Sequence, residues 1–445
     1  MGLEGVGGPC LTVPGARPCM VAPGERQARR FVPFLAASLT LTLTLGATLG
    51  AINLARLTGT WGYLPRPWVW AHGYVQVFGF LALFVMGFAY HAVPRFVGAA
   101  LRHAPVVPLS LWLQVGGVLC VAAGFLAPLA PAATRTLWVL GTAALLGSAT
   151  LFCVVLTATS RARASEPQAF EPWLVAGGVW LVAASALALT AAVRDDTTWH
   201  HVVWPAAVYG FAGSFIFGVG RRLFPASLGF VTRAPRLEPP VFVLYQLGVV
   251  AWSAGAWPGN DRTRLLRGLG AVALLATVPA FAFVVGLFGP RRLASLGLDR
   301  EHRDYQRYIR AGWGWLFIGL LAGPARSLAA VAHGAQDSIA MLDFSRHTVA
   351  LGFATQVIMG VGSRFVPVFG GTRLWSPRGH RLAFRLLNLA VSVRVLEAIL
   401  AAGYWPEAWP FLALSGPPAV AALALFGANM LKALRPPRLN AAGRS

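Results

Sequence analysis

Residues 71–96 read AHGYVQVFGFLALFVMGFAYHAVPRF. The stretch is apolar, long enough to cross a bilayer, and has a histidine near each end, His72 and His91. Within it, Gly79-Phe80, Gly87, His91 and Pro94 set a spacing that returns twice. Gly210-Phe211, Gly218, Arg222 and Pro225 keep every interval, and so do Gly352-Phe353, Gly360, Arg364 and Pro367. With 49 glycines in 445 residues a single coincident glycine carries no weight, but four fixed positions inside three apolar segments mark an internal repeat.

The rest of the chain has the composition of that stretch. It is 56% hydrophobic and 12% charged, with a mean hydropathy of +0.62, whereas soluble domains carry about 25% charged residues. This is the signature of a polytopic membrane protein. Helices are the expected elements, because an open strand edge in lipid leaves backbone polar groups unpaired. Twelve spans are expected, roughly at 31–55, 69–93, 106–129, 136–158, 173–193, 199–220, 239–257, 267–289, 311–333, 345–366, 381–402 and 408–431, taking about 20 apolar residues per crossing. The fold class is therefore all-α, a twelve-helix transmembrane domain over 31–432. A disordered cytoplasmic tail (1–30) is expected before it and a cytoplasmic tail (433–445) after it. The N-terminal tail lacks the continuous apolar run of a signal peptide.

A net charge of +22 on a soluble chain suggests nucleic acid, but here the basic residues lie between apolar runs. Alternate connections together with the two tails hold 27 of the 37 Lys and Arg, and the opposite set holds 8. The positive-inside rule then puts both termini in the cytoplasm of a bacterial inner membrane, with the lipid bilayer and not nucleic acid as the partner. The charged connection 290–310 is expected to form a short amphipathic helix. Four scattered cysteines make neither a CxxC metal site nor a CxxCH haem attachment, and Cys10–Cys19 is the one candidate disulfide.

The motif falls in the second, sixth and tenth spans, so the repeat units are about 31–158, 173–289 and 311–431. Each has an even number of spans and enters the membrane the same way. The expected arrangement is three four-helix pseudo-repeats about an axis along the membrane normal, unlike an inverted two-fold transporter repeat.

This topology sorts the nine histidines. His72, His200, His201, His333 and His347 fall at the outer side, and His91, His103, His302 and His380 at the cytoplasmic side. Ionisable groups at membrane depth are candidate functional sites, and neutral imidazole ligates metals and haem iron. At about 100° per residue from the first motif glycine, His72 falls near 20° and His200 near 80°, on the motif face, while His201 falls near 180° and His347 near 220°. Ser345 takes the place in the third unit that His72 has in the first. Simpler roles compete with ligation. For His72 it is an interfacial position among Trp68, Trp70 and Tyr74, for His347 an i,i+4 pair with Asp343, and for His91 a cationic anchor where the other units have arginine. Gly79 and Gly87 permit close approach of a helix or of a flat cofactor. Arg394 and Glu397, three apart within a span, neutralise each other and with Arg326 are the sequence support for an ion or substrate path.

The segment around His72 resembles the second helix of the NnrS family and, more distantly, of haem-copper oxidase subunit I, with a helix-start His, a Gly-Phe step and a Gly-x-x-Tyr-x-x-x-Pro end. RHTVALGFATQVIMGVGSRFVPVFGG from Arg346 is similar to a second NnrS-type segment. The resemblance implies an inner-membrane protein binding haem b, with copper as a second candidate, linked to nitric oxide metabolism or to nitrosative and redox stress. It implies His72 as an axial ligand and His200 or His347 as the second, with His201 and His333 as further candidates, and a redox partner or nitric oxide itself as interacting species. Departures narrow this. The seventh span has no His where an oxidase supplies a pair for copper, the tenth has one where an oxidase uses two, and the sixth lacks His-x-x-x-Tyr. Oxygen reduction is therefore not expected. A cofactor-free transporter or an assembly factor on the same scaffold is the competing reading.

Overall fold

The computed structural model describes residues 30–59, 62–163, 166–257, 261–289, 300–333, 339–402, 411 and 413–434. Among them the helices are, in order, α1 (Val32–Leu57), α2 (Arg66–Val97), α3 (Ala104–Leu126), α4 (Pro131–Arg161), α5 (Glu171–Arg194), α6 (Thr197–Pro225), α7 (Glu238–Gly255), α8 (Asp261–Val284), α9 (Arg300–His333), α10 (Ala340–Phe369), α11 (Pro377–Ala402) and α12 (Gly416–Ala433). No strand occurs among the described residues. Proline stands in the first helical positions of α2, α3, α4, α5, α7 and α12, where its missing N–H would have had no intrahelical partner.

Eight of these helices, α1 to α6, α8 and α10, are long and apolar enough to cross a membrane. The chain is a polytopic, all-helical membrane protein. The other four are not among them; α11 carries arginines and Glu397 within its apolar stretch, and α9 opens on the charged run REHRDYQRYIR. That start was expected to be a separate amphipathic helix. From Arg300 onward it is instead the opening turns of α9, because neither proline nor glycine interrupts the chain before Gly312. Cys10, Cys19, both terminal tails beyond residues 30 and 434, and the side chains of Arg326 and His333 lie outside the described residues.

The three motif helices form the centre. In α2, α6 and α10, respectively, 100%, 89% and 78% of the membrane-length window is buried, against 39–44% in the other spans. Each carries an eight-residue π-helical segment: Val75–Ala82, Ala206–Gly213 and Thr348–Thr355. All three start four residues before the first motif glycine and end three after it. A π segment bonds i to i+5 instead of i+4, so main-chain carbonyls come free and must find other donors. Neighbouring helices supply them. Gln114 Nε2 donates to Phe78 O at 2.9 Å, Ser38 Oγ to Phe80 O at 3.0 Å, and Tyr245 Oη to Tyr209 O at 2.7 Å.

The same helices end alike. Gly98, Gly229 and Gly371, each nineteen residues after the first motif glycine, have φ of 65°, 69° and 64°. In the first and third, the next residue's N–H bonds back to the motif proline, Ala99 to Pro94 O at 2.9 Å and Thr372 to Pro367 O at 2.8 Å. This is the left-handed helix stop that favours glycine.

The second motif glycine is where each central helix meets the helix that precedes it in the chain. A Cβ on Gly87 would stand 2.5 Å from Phe34 Cβ, one on Gly218 2.8 Å from Trp173 Cβ, and one on Gly360 2.7 Å from Tyr308 Cβ. A contact of backbone on backbone joins α3 to α4, where a Cβ on Gly117 would be 2.7 Å from Gly141 O and one on Gly141 2.7 Å from Gly117 O. Backbone cannot rotate aside as a side chain does. Gly117→Ala is expected to destabilise the protein by about 1–3 kcal/mol, the usual cost of overpacking. Thermal unfolding in detergent reads it, and an unchanged midpoint would refute the contact.

Candidate functional site

His72 lies in the turn of α2 just before its π segment. Opposite it, α1 has its own short π run, Thr42–Gly46, at whose end Gly46 takes φ −92° and ψ −93°, outside the helical region. The Gly46 carbonyl lies 3.0 Å from His72 Nδ1. A carbonyl only accepts, so Nδ1 carries the proton and donates it. In the neutral ring this tautomer leaves the Nε2 lone pair available, the arrangement found in metal-ligating histidines. One turn on, Gly50 makes room for the ring, since a Cβ there would sit 2.6 Å from His72 Cε1. Only glycine admits the imidazole flat against α1. The pair Gly46 and Gly50 in LGATLG was the signal available in the sequence, and the reading from the repeat passed over it.

His347 stands immediately before the π segment of α10, two residues after Ser345, which holds the place matching His72. Its Nδ1 lies 3.0 Å from the Asp343 carbonyl and 3.1 Å from Asp343 Oδ1. Both atoms are acceptors, so this nitrogen is again the donor. The expected i,i+4 pair is present, and it engages Nδ1 and not Nε2. The rings of His72 and His347 are 6.4 Å apart, centre to centre, with their planes 15° from parallel. Counting at 100° per residue had put His347 on the far side of its helix. Each π turn takes about one residue more than an α turn, so that count over-rotates across Thr348–Thr355.

A chain of charged groups runs from His347 into the bundle. Asp343 pairs with Arg394 Nη2 at 2.5 Å, and Arg394 Nη1 with Glu397 Oε2 at 2.9 Å. Glu397 in turn accepts from the Ser415 N–H at 2.9 Å and from its hydroxyl at 2.6 Å. Arg394 and Glu397 are 8% and 3% exposed, while the side chains of Asp343 and His347 are 27% and 30% exposed. Burial is thus deepest at Glu397 and opens at the histidines. Each charge has an opposite partner, as burial requires.

His200 is brought to a different place. Its Nε2 shares a hydrogen bond of 3.1 Å with Tyr74 Oη, which also accepts from Trp138 Nε1 at 3.4 Å. Trp70, Tyr74 and Trp138 surround the ring at 5.3, 5.5 and 5.6 Å, and Nδ1 is buried with no hydrogen-bond partner among the described residues. The adjacent His201 is half-buried. Just ahead of them, Asp196 caps α6 by accepting from the Thr198 N–H at 2.9 Å, and hydrogen bonds to Thr198 hold its carboxyl below the usual range. Ser345 is buried, with its hydroxyl 3.4 Å from Gly319 O. The backbone of His333 ends α9. Gly79 faces Val118 and Leu41, and Gly87 faces Phe34, so both are spent on helix packing. His91 does not reach a surface. It is 1% exposed and packs against Phe369 at 4.0 Å and Phe31 at 5.1 Å.

The sequence model of the family described as NnrS protein matches residues 31–438. The chain belongs to the NnrS family. No curated protein matches it. The matched region contains all of α1 to α12 and with them both histidine sites. In this NnrS-family protein no group of three or more His, Cys, Asp or Glu is placed to hold a metal ion among the described residues. What the geometry brings together is one pair of imidazoles on two central helices, each oriented through Nδ1.

Proposed function

We propose that this NnrS-family protein binds haem b with His72 and His347 as axial ligands and serves nitric oxide or redox stress in the bacterial inner membrane. The observation that carries the reading is the 6.4 Å separation of two nearly parallel imidazoles. Two nitrogens on one metal at about 2.0–2.1 Å each place their ring centres roughly 6 Å apart. Both rings keep Nε2 for that purpose, held by Gly46 O on one side and Asp343 on the other. When bound, haem supplies a redox-active iron. The protein's own residues orient the two imidazoles, keep their Nδ1 protons and, through Asp343, raise the basicity of His347. His72 and His347 together would hold the iron, and a two-histidine site would suit electron transfer with a redox partner better than direct capture of a gas. A pair of ligands also favours haem over copper, for which the outer histidines would have to gather in larger number.

Twelve spans in three four-helix units complete the proposal. It is supported by the equal placement of the three π segments and of the three left-handed glycines. The basic connections then put the histidine pair near the outer face, with both termini cytoplasmic.

Reduced-minus-oxidised absorption spectra and haem content of the purified protein, produced with ample haem, provide the test. A low-spin b-type spectrum is expected, and His200→Ala is expected to retain it because Tyr74 and not the histidine pair holds His200. A colourless wild-type protein would instead favour the cofactor-free transporter or assembly factor.

A further inference from the structure

Deep between α2, α6 and α10 lies a cavity of about 40 Å³. Its lining follows the repeat. Five residues after the first motif glycine stand Phe84, Phe215 and Val357, nine residues after it stand Phe88, Val219 and Val361, and all six border this one space. Each is at most 9% exposed. The room has a sequence cause: α2 has phenylalanine at both positions, α6 at one and α10 at neither. The third unit therefore leaves unfilled what the first two nearly fill.

We propose that this cavity is a binding site for an uncharged, apolar molecule of diatomic size, a dissolved gas that partitions into the membrane. Every lining side chain is hydrocarbon or glycine, so water has none of the two to four polar partners it needs to stay. Ions are excluded for the same reason. The volume suits one or two bodies the size of water, which is too small for a lipid chain. Apolar cavities of this kind take up small apolar solutes, xenon among them. The site lies roughly 18–24 Å along α2 from His72 at 1.5 Å per residue, so it does not depend on the haem reading.

Xenon is the probe, applied to the full-length protein in detergent or nanodiscs and read by xenon NMR or by diffraction under xenon pressure. One site in contact with Phe84, Phe215 and Val357 is expected in the wild type. Val361→Phe and Val219→Phe, which place in α10 or α6 the residue α2 already has at that position, are each expected to abolish it. The proposal is overturned if the wild type takes up no xenon there, if ordered water or an acyl chain fills the space, or if both folded variants keep the signal. Should one variant not fold, the wild-type measurement and the other variant still decide.

Discussion

The His72→Ala protein is expected to lose the low-spin b-type spectrum completely, and His347→Ala is expected to do the same. Each change removes one of the two imidazoles proposed to hold the haem iron, and alanine offers no replacement. The two histidines differ in how they are held, which gives the experiment internal control. His72 rests on main chain, with its Nδ1–H on Gly46 O and its ring over Gly50, so only changes in α1 can disturb it. Gly50→Ala, whose Cβ would press on Cε1 at 2.6 Å, should perturb the spectrum without removing a ligand. His347 rests on a carboxylate, so Asp343→Asn should keep haem and shift its reduction potential upward, because a neutral amide raises the basicity of His347 less than the charged carboxylate. Absorption spectra, haem content and redox titration of the four variants are the measurements. If His72→Ala retains the wild-type spectrum, haem binding stands but the ligand assignment fails.

Arg394→Ala is expected to cost about 3–5 kcal/mol, the typical result of removing one partner from a buried ion pair. Arg394 is the only cation between Asp343 and Glu397 in the described chain of contacts. Among the described residues its loss leaves Glu397, which is 3% exposed, with only the Ser415 hydrogen bonds. Glu397→Gln should cost less, since glutamine can still accept from Ser415 and Arg394 stays paired with Asp343. Thermal unfolding of the purified variants checks the ordering. A loss below about 1 kcal/mol for Arg394→Ala, the value of an exposed pair, would show that water reaches this network. The same network bears on the alternative function. Arg394 and Glu397 suggested an ion path when read alone, but among the described residues they join Asp343 and Ser415 in one hydrogen-bonded network that braces His347.

Much of this was legible before the fold was seen. The apolar runs, the thrice-repeated spacing, the central place of α2 and the Asp343–His347 pair all follow from periodicity and local contacts, which sequence separation does not blur. The histidine pair was only half legible. His72 fell on the motif face, whereas His347 was placed behind its helix because the count assumed a uniform α-helix through a π segment. Tyr74 and His200, 126 residues apart, gave no local sign of their hydrogen bond, and neither did Asp343 and Arg394.

The amino-acid sequence by itself determined that the chain is helical and lies in the membrane, because apolar length and backbone hydrogen bonding in lipid leave no other choice. It also determined the family and the residues available for chemistry. Only the tertiary structure decided which of those residues meet. Helix packing sets distances across the bundle, the π segment of α10 changes the direction of His347, and the π run of α1 ends on the Gly46 carbonyl that holds His72. Those contacts depend on angles summed over whole helices and on neighbours far away in the chain.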